Sequence, residues 1–173
     1  MEIKINGKTI RVIRADITTM AVEGIVYYAS PDLQLGTGFG SMISRRGGGA
    51  IQNELNAFPL QQVGNAVITT AGKLKADYVI HAVGPAFKEA DIKSKLKRTV
   101  ENALRLAEEK GLSTVAFPAM GTGFHGIPTT LSAETRKEAI ADFLKRDSCI
   151  NEIVICVNDP WVAEPYCSAL AAN

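Results

Sequence analysis

Val115-Ala116-Phe117-Pro118-Ala119-Met120-Gly121-Thr122-Gly123-Phe124-His125-Gly126-Ile127-Pro128 is an apolar, strand-like run that empties into a glycine-rich loop closed by proline. Gly121, Gly123 and Gly126 allow left-handed backbone and close approach to a ligand, and unpaired N–H groups beside a helix start then hold an anion. Their spacing satisfies G-x-G-x-x-G, but that fingerprint opens directly into a helix, whereas Pro128 and two threonines intervene here. The loop therefore has two readings, a phosphate cradle or a plain structural turn.

Working outward, residues 113–118 form the strand that feeds the loop, and Gly111 stops the helix before it. That helix, residues 92–110, carries Ile92, Leu96, Val100, Ala103, Leu104 and Ala107 at helical spacing. Its Lys93, Lys95, Lys97 and Arg98 could touch RNA, but Glu89, Asp91 and Glu101 flank them and favour a solvated face. Downstream, residues 131–146 predict a helix with Ala133, Ile140, Phe143 and Leu144 inside, Ser132 as cap, and Arg136 and Lys137 outside. A strand at 153–157 and a terminal helix at 161–172 complete this half.

Toward the N-terminus, residues 64–70 and 77–83 are two further strands. His81 lies in the second and reads as a neutral structural residue before it reads as a catalyst. Gly24-Ile25-Val26-Tyr27-Tyr28-Ala29 is a continuous apolar strand followed by a second glycine-rich segment, Gly36-Thr37-Gly38-Phe39-Gly40-Ser41. Gly47–Gly49 mark a helix end and restart before a helical stretch at 50–57. Residues 15–23 predict a turn into a short helix that Asp16 or Thr18 caps, and two alternating runs across Asn6-Gly7 predict an N-terminal hairpin. After the hairpin, strands alternate with helices, so the sheet is expected to be largely parallel and sandwiched between helices. Both glycine segments leave strand carboxyl ends, where such sheets bind ligands, so they converge on one crevice suited to a nucleotide diphosphate.

Composition bounds this picture. The 173 residues, 46% hydrophobic and 21% charged, suffice for one well-buried domain, residues 1–173. A net charge of +1 gives no general pull toward nucleic acid or anionic membrane, so anion binding has to be local. Three cysteines without C-x-x-C spacing and two histidines fit a reduced, cytoplasmic protein with no structural metal and no bound cofactor. No apolar run approaches the roughly 20 residues that span a bilayer, and residues 1–4 lack a signal peptide's apolar core.

Three segments together resemble the macrodomain family, which binds ADP-ribose: Ala15-Asp16-Ile17-Thr18, the run Ala71-Gly72-Lys73-Leu74 with Tyr78-Val79-Ile80-His81-Ala82-Val83-Gly84-Pro85, and Phe117 to Pro128. The resemblance implies a three-layer α/β/α fold around a mixed, largely parallel six- or seven-stranded sheet. It implies that Asp16 accepts a hydrogen bond from the adenine amino group, with Ile17 beside the ring. Gly38 and Phe39 then belong to the first phosphate loop, Gly121, Thr122, Gly123 and Phe124 to the second, and His125 packs on the distal ribose. Asn158 is the expected contact at the end of the last strand. Two departures bear on chemistry. The family's N-A-A-N is Tyr27-Tyr28-Ala29-Ser30 here, and the acid that positions water in one hydrolytic branch is Gly40.

The leading expectation is a binding module for ADP-ribose or a related metabolite, free or protein-linked. The alternative is a hydrolase acting on the distal end, whether O-acetyl-ADP-ribose deacetylase, ADP-ribose 1''-phosphate phosphatase or mono-ADP-ribosyl-protein hydrolase, through His125 and Ser30, since histidine titrates near neutral pH. Binding of poly(A) or single-stranded RNA is a third reading that the near-zero charge disfavours.

Overall fold

The computed structural model describes residues 1–36 and 38–172. Thr37, within the first glycine-rich segment, and Asn173 lie outside the described residues. β1 (Glu2–Ile5) and β2 (Lys8–Arg14) form the expected hairpin, with Asn6 and Gly7 at φ 49° and 77°, the left-handed pair that a two-residue turn needs. There follow β3 (Gly24–Ala29), α1 (Gly38–Gly47), α2 (Ala50–Leu55), β4 (Ala66–Thr70), β5 (Tyr78–Val83) and α3 (Ile92–Glu109). β6 (Thr114–Pro118), α4 (Thr129–Phe143), β7 (Glu152–Val157) and α5 (Pro160–Ala171) complete the chain.

One seven-stranded sheet runs in the order β1-β2-β7-β6-β3-β5-β4. Its five central strands are parallel, and the two edge strands pair antiparallel, β1 with β2 and β4 with β5. This is the mixed, largely parallel sheet that the alternation of elements predicts. Because successive strand residues face opposite sides, Val26 and Tyr28 of β3 join one core with α3, α4 and α5, while Ile25, Tyr27 and Ala29 join the other with α1 and α2. The result is a three-layer α/β/α sandwich. No described helix is long and apolar enough to cross a membrane.

Four local readings change. Residues 15–23 contain only a 3-10 turn, Ile17–Thr19. The first glycine-rich segment is a loop only as far as Gly36, since Gly38, Phe39 and Gly40 already belong to α1. α4 begins at Thr129 after Pro128, with no side-chain cap, so Ser132 is not a cap but a buried residue of its first turns. Arg136, expected outside, is 1% exposed, because Ser132, Ala133, Thr135, Arg136, Ala139, Ile140 and Phe143 form the inward stripe. Lys137 is half-buried, and Glu134 and Glu138 face water.

Candidate functional site

β2, β7, β6 and β3 end side by side, and their carboxyl ends open into a cleft of about 560 Å³. That volume fits a nucleotide-sized ligand. The place follows from topology: from β3 the chain leaves toward β5 and β4 on one side, while β6 and β7 lie on the other, and loops leaving such strands diverge into a crevice.

Gly38 and Phe39, in the first turn of α1, form one wall, and Gly121 to His125 form the opposite one. The first N–H groups of a helix have no intrahelical acceptor and attract anions. Gly121 has φ 73°, and a Cβ there would lie 2.5 Å from Ile127 Cδ1 and 3.2 Å from Tyr28 Cζ. Only glycine fits that bend. The loop closes on itself through Ile127 N–H to the Gly121 carbonyl (2.9 Å) and Gly126 N–H to the Gly123 carbonyl (3.0 Å). The N–H groups of Thr122, Gly123, Phe124 and His125 find no acceptor among the described residues. The Thr122 hydroxyl donates back to the Ala119 carbonyl at 3.2 Å, so its lone pairs rather than its proton are free.

One end of the cleft is apolar and slot-like: Ala15, Ile17, Cys156, Val157 and Val162 line it, with Asn158 and Asp159 at the rim. Asp159 is fixed as the cap of α5, accepting the Trp161 N–H at 2.9 Å. Burial, with the Asp16 charge, pushes the Cys156 thiol up to about 11, against the opposing pull of Arg136 and Arg11, so it is not a nucleophile near neutral pH.

The other end is aromatic. Tyr28 lies over Gly84, where a Cβ would come within 2.0 Å of its Cζ, and its hydroxyl donates to the Pro85 carbonyl at 2.5 Å. The half-buried His125 ring stands edge-on to Tyr28, 4.7 Å between centroids, and the fully exposed Phe124 flanks it at 5.7 Å. Burial pushes the His125 ring below its ordinary value, against the pull of the Glu89 carboxylate, so it is neutral near pH 7 and able to accept a proton. The Ser30 hydroxyl donates to Asp32 at 2.7 Å. That bond, with the Gln34 N–H, holds the Asp32 carboxyl below the usual range. Asp32 is therefore a poor base for Ser30.

Ile17, Ser30, Gly38, Phe39, Gly121, Thr122, Gly123, Phe124, His125 and Asn158 all line this cleft, and the structure brings them together from five parts of the chain. Asp16 stands just behind the lining. Burial works against its ionisation, but hydrogen bonds from the Thr18 hydroxyl, Arg46 and the Thr18 N–H outweigh that and hold its carboxyl low. It caps the 3-10 turn, and Arg46 Nη1 meets its Oδ2 at 2.5 Å.

The Macro domain family profile matches residues 28–136. The chain belongs to the macro domain family. An uncharacterized protein of Thermotoga maritima is 38% identical over 166 residues, 90% of this chain, which spans 27% of that protein's length. The O-acetyl-ADP-ribose deacetylase of Salmonella typhimurium is 35% identical over 170 residues, 93% of each chain. A mutant of the Oceanobacillus iheyensis macrodomain, solved with ADPR, superposes with a TM-score of 0.89 at 26% identity, covering 99% of this chain and 96% of its own.

In this macrodomain the floor of the cleft adds residues from β3 and the loop after it. Tyr27 was not anticipated as a cleft residue, nor were Tyr28 and Gln34. A Cβ on Gly40 would lie 2.6 Å from the Tyr27 hydroxyl oxygen and 3.1 Å from Leu35 Cα. The Tyr27 phenol thus occupies the space that a side chain at position 40 needs. Two bulky rings at the mouth of a parallel strand were the available signal, since consecutive residues there face both sides of the crevice.

Proposed function

We propose that this macrodomain binds ADP-ribose, free or carried on a protein. The observation that carries the reading is the pairing of two sets of backbone N–H groups, Gly38–Phe39 and Gly121–Phe124, across one cleft, with an apolar slot for a base on one side and rings for a ribose on the other. The solved macrodomain with ADPR and the relative named O-acetyl-ADP-ribose deacetylase support it. Adenine lies against Ile17 and Val157, the diphosphate bridges the two walls, and the distal ribose meets Tyr28 and His125. Calorimetric titration of ADP-ribose beside AMP, ADP and NAD tests this. ADP-ribose at ~100 times its dissociation constant adds about 2.7 kcal/mol, raising the melting midpoint by roughly 5–10 °C. No heat and no shift at millimolar ADP-ribose refute it.

Turnover at the distal end is the second reading, favoured by the deacetylase relative and by a neutral His125 in the cleft. In it, His125 takes the proton of water attacking an acyl ester, and Ser30 orients the ribose. His125→Phe then cuts release of acetate from O-acetyl-ADP-ribose by about 10²–10⁴-fold while ADP-ribose affinity is unchanged. Wild-type release at the buffer background refutes turnover and leaves the binding reading standing.

A further inference from the structure

Arg136 brings a charge into the interior with little to balance it. Its guanidinium lies between the rings of Phe117 and Tyr166, 5.7 and 4.8 Å from their centroids. Nη2 donates to the Tyr166 hydroxyl at 3.2 Å. Nε and Nη1 find no acceptor among the described residues, and neighbouring Thr135 Oγ1 has no partner either. Ring faces return part of the desolvation cost of a guanidinium, but a buried charge is usually paired. Arg136 forms no ion pair with any described carboxylate.

Its surroundings lead directly to the cleft. Phe117 runs through Pro118 into the second glycine loop. The Tyr166 hydroxyl shares a hydrogen bond with Ser132 Oγ at 2.7 Å, and Ser132 Oγ donates to the Met120 carbonyl at 2.7 Å, one residue before Gly121. The guanidinium is thus two hydroxyls away from the backbone of that loop. The cleft lining itself contains no lysine or arginine among the described residues, and it does contain Asp159. A dianion held there meets N–H dipoles but no cation at its surface.

We propose that Arg136 is a buried counter-charge for the ligand's diphosphate, a specificity-determining residue that makes the cleft select nucleoside diphosphates over uncharged nucleosides without touching them. It acts through the low-dielectric interior, where charges are attenuated less than in water, and through the Tyr166–Ser132–Met120 chain that steadies the loop. The inference rests on the ADP-ribose reading above.

The test compares a charged and an uncharged ligand in one variant. Arg136→Met replaces the charge by an apolar side chain of similar length. The expected result is that ADP and ADP-ribose bind about tenfold more weakly while the dissociation constant of adenosine stays within about twofold. An Arg136 that serves only the stability of the fold moves all three alike or none, and either outcome overturns the proposal. If Arg136→Met does not fold, the wild type decides. A buried charge is screened little, so ADP affinity falls less than about threefold between about 0.05 and about 0.5 M NaCl, and a loss of tenfold or more overturns it. A wild type that does not bind ADP-ribose at all refutes the proposed function instead, so the two failures are distinct.

Discussion

Gly40→Ala isolates the packing of Tyr27 against the first turn of α1. The new Cβ would lie 2.6 Å from the Tyr27 oxygen and 3.1 Å from both Tyr27 Cζ and Leu35 Cα, well inside the 3.5–4.0 Å optimum for such contacts. Tyr27 has little room to retreat, since its ring is buried with Phe39 5.9 Å away on one side and His81 6.0 Å away on the other. Overpacking of this kind costs about 1–3 kcal/mol, and exchanging glycine for alanine in a helix returns about 1 kcal/mol. Gly40→Ala therefore destabilises by up to about 2 kcal/mol in the wild type. In a Tyr27→Phe background the 2.6 Å contact disappears while the 3.1 Å approaches to the ring Cζ and to Leu35 Cα remain, so the same change costs about 1 kcal/mol less than in the wild type. Thermal or urea unfolding of the four proteins closes a double-mutant cycle with a coupling of at least about 1 kcal/mol, or about 2–4 °C in the midpoint. An equal cost of Gly40→Ala in both backgrounds refutes the steric argument. A larger side chain at position 40 therefore requires a smaller residue at position 27.

Two further predictions concern titratable groups. Burial pushes His81 down to about 3, and its Nε2 meets Thr69 Oγ1 at 2.9 Å. The unfolded chain therefore binds this proton at higher pH than the native protein, so stability is complete above about pH 6.5 and falls as pH drops toward 3, by up to ~1.4 kcal/mol per unit. Urea midpoints near pH 7 and near pH 4.5 should show wild type losing about 2–3 kcal/mol more than His81→Gln, and parallel losses refute the assignment. Asp16 already accepts two bonds from Thr18 at Oδ1 and one from Arg46 at Oδ2, which leaves a carboxylate one acceptor site for an adenine amino group. Asp16→Ala should cost about 1 kcal/mol of stability as a lost cap and weaken ADP-ribose by about 1.5–3 kcal/mol. Unchanged affinity by calorimetry would reduce Asp16 to a cap.

The elements of this fold were legible in the sequence because each is dictated by neighbours along the chain. The Asn6-Gly7 turn, the two-sided apolar run of β3, the stripe of α3 and its stop at Gly111, whose φ is 72°, all rest on local backbone preference and on periodic burial. The two glycine segments were legible as well, since an anion-binding backbone needs residues without side chains and needs them at strand carboxyl ends. What the chain could not disclose locally were contacts between residues far apart in sequence. Tyr27 of β3 excludes a side chain at Gly40 of α1, and Tyr28 of β3 fills the space above Gly84 at the end of the neighbouring β5. Asp16 is tied to Arg46, 30 residues away. Charges ordinarily remain in water, so the sequence alone places Arg136 at the surface, and only the tertiary packing that sets its guanidinium against Phe117 and Tyr166 turns it inward. Sequence periodicity determines which elements form and which face is apolar, whereas the identity of the groups that meet at the cleft, and the charge beneath it, is decided by tertiary packing, because a side chain's energy there depends on the atoms opposite it.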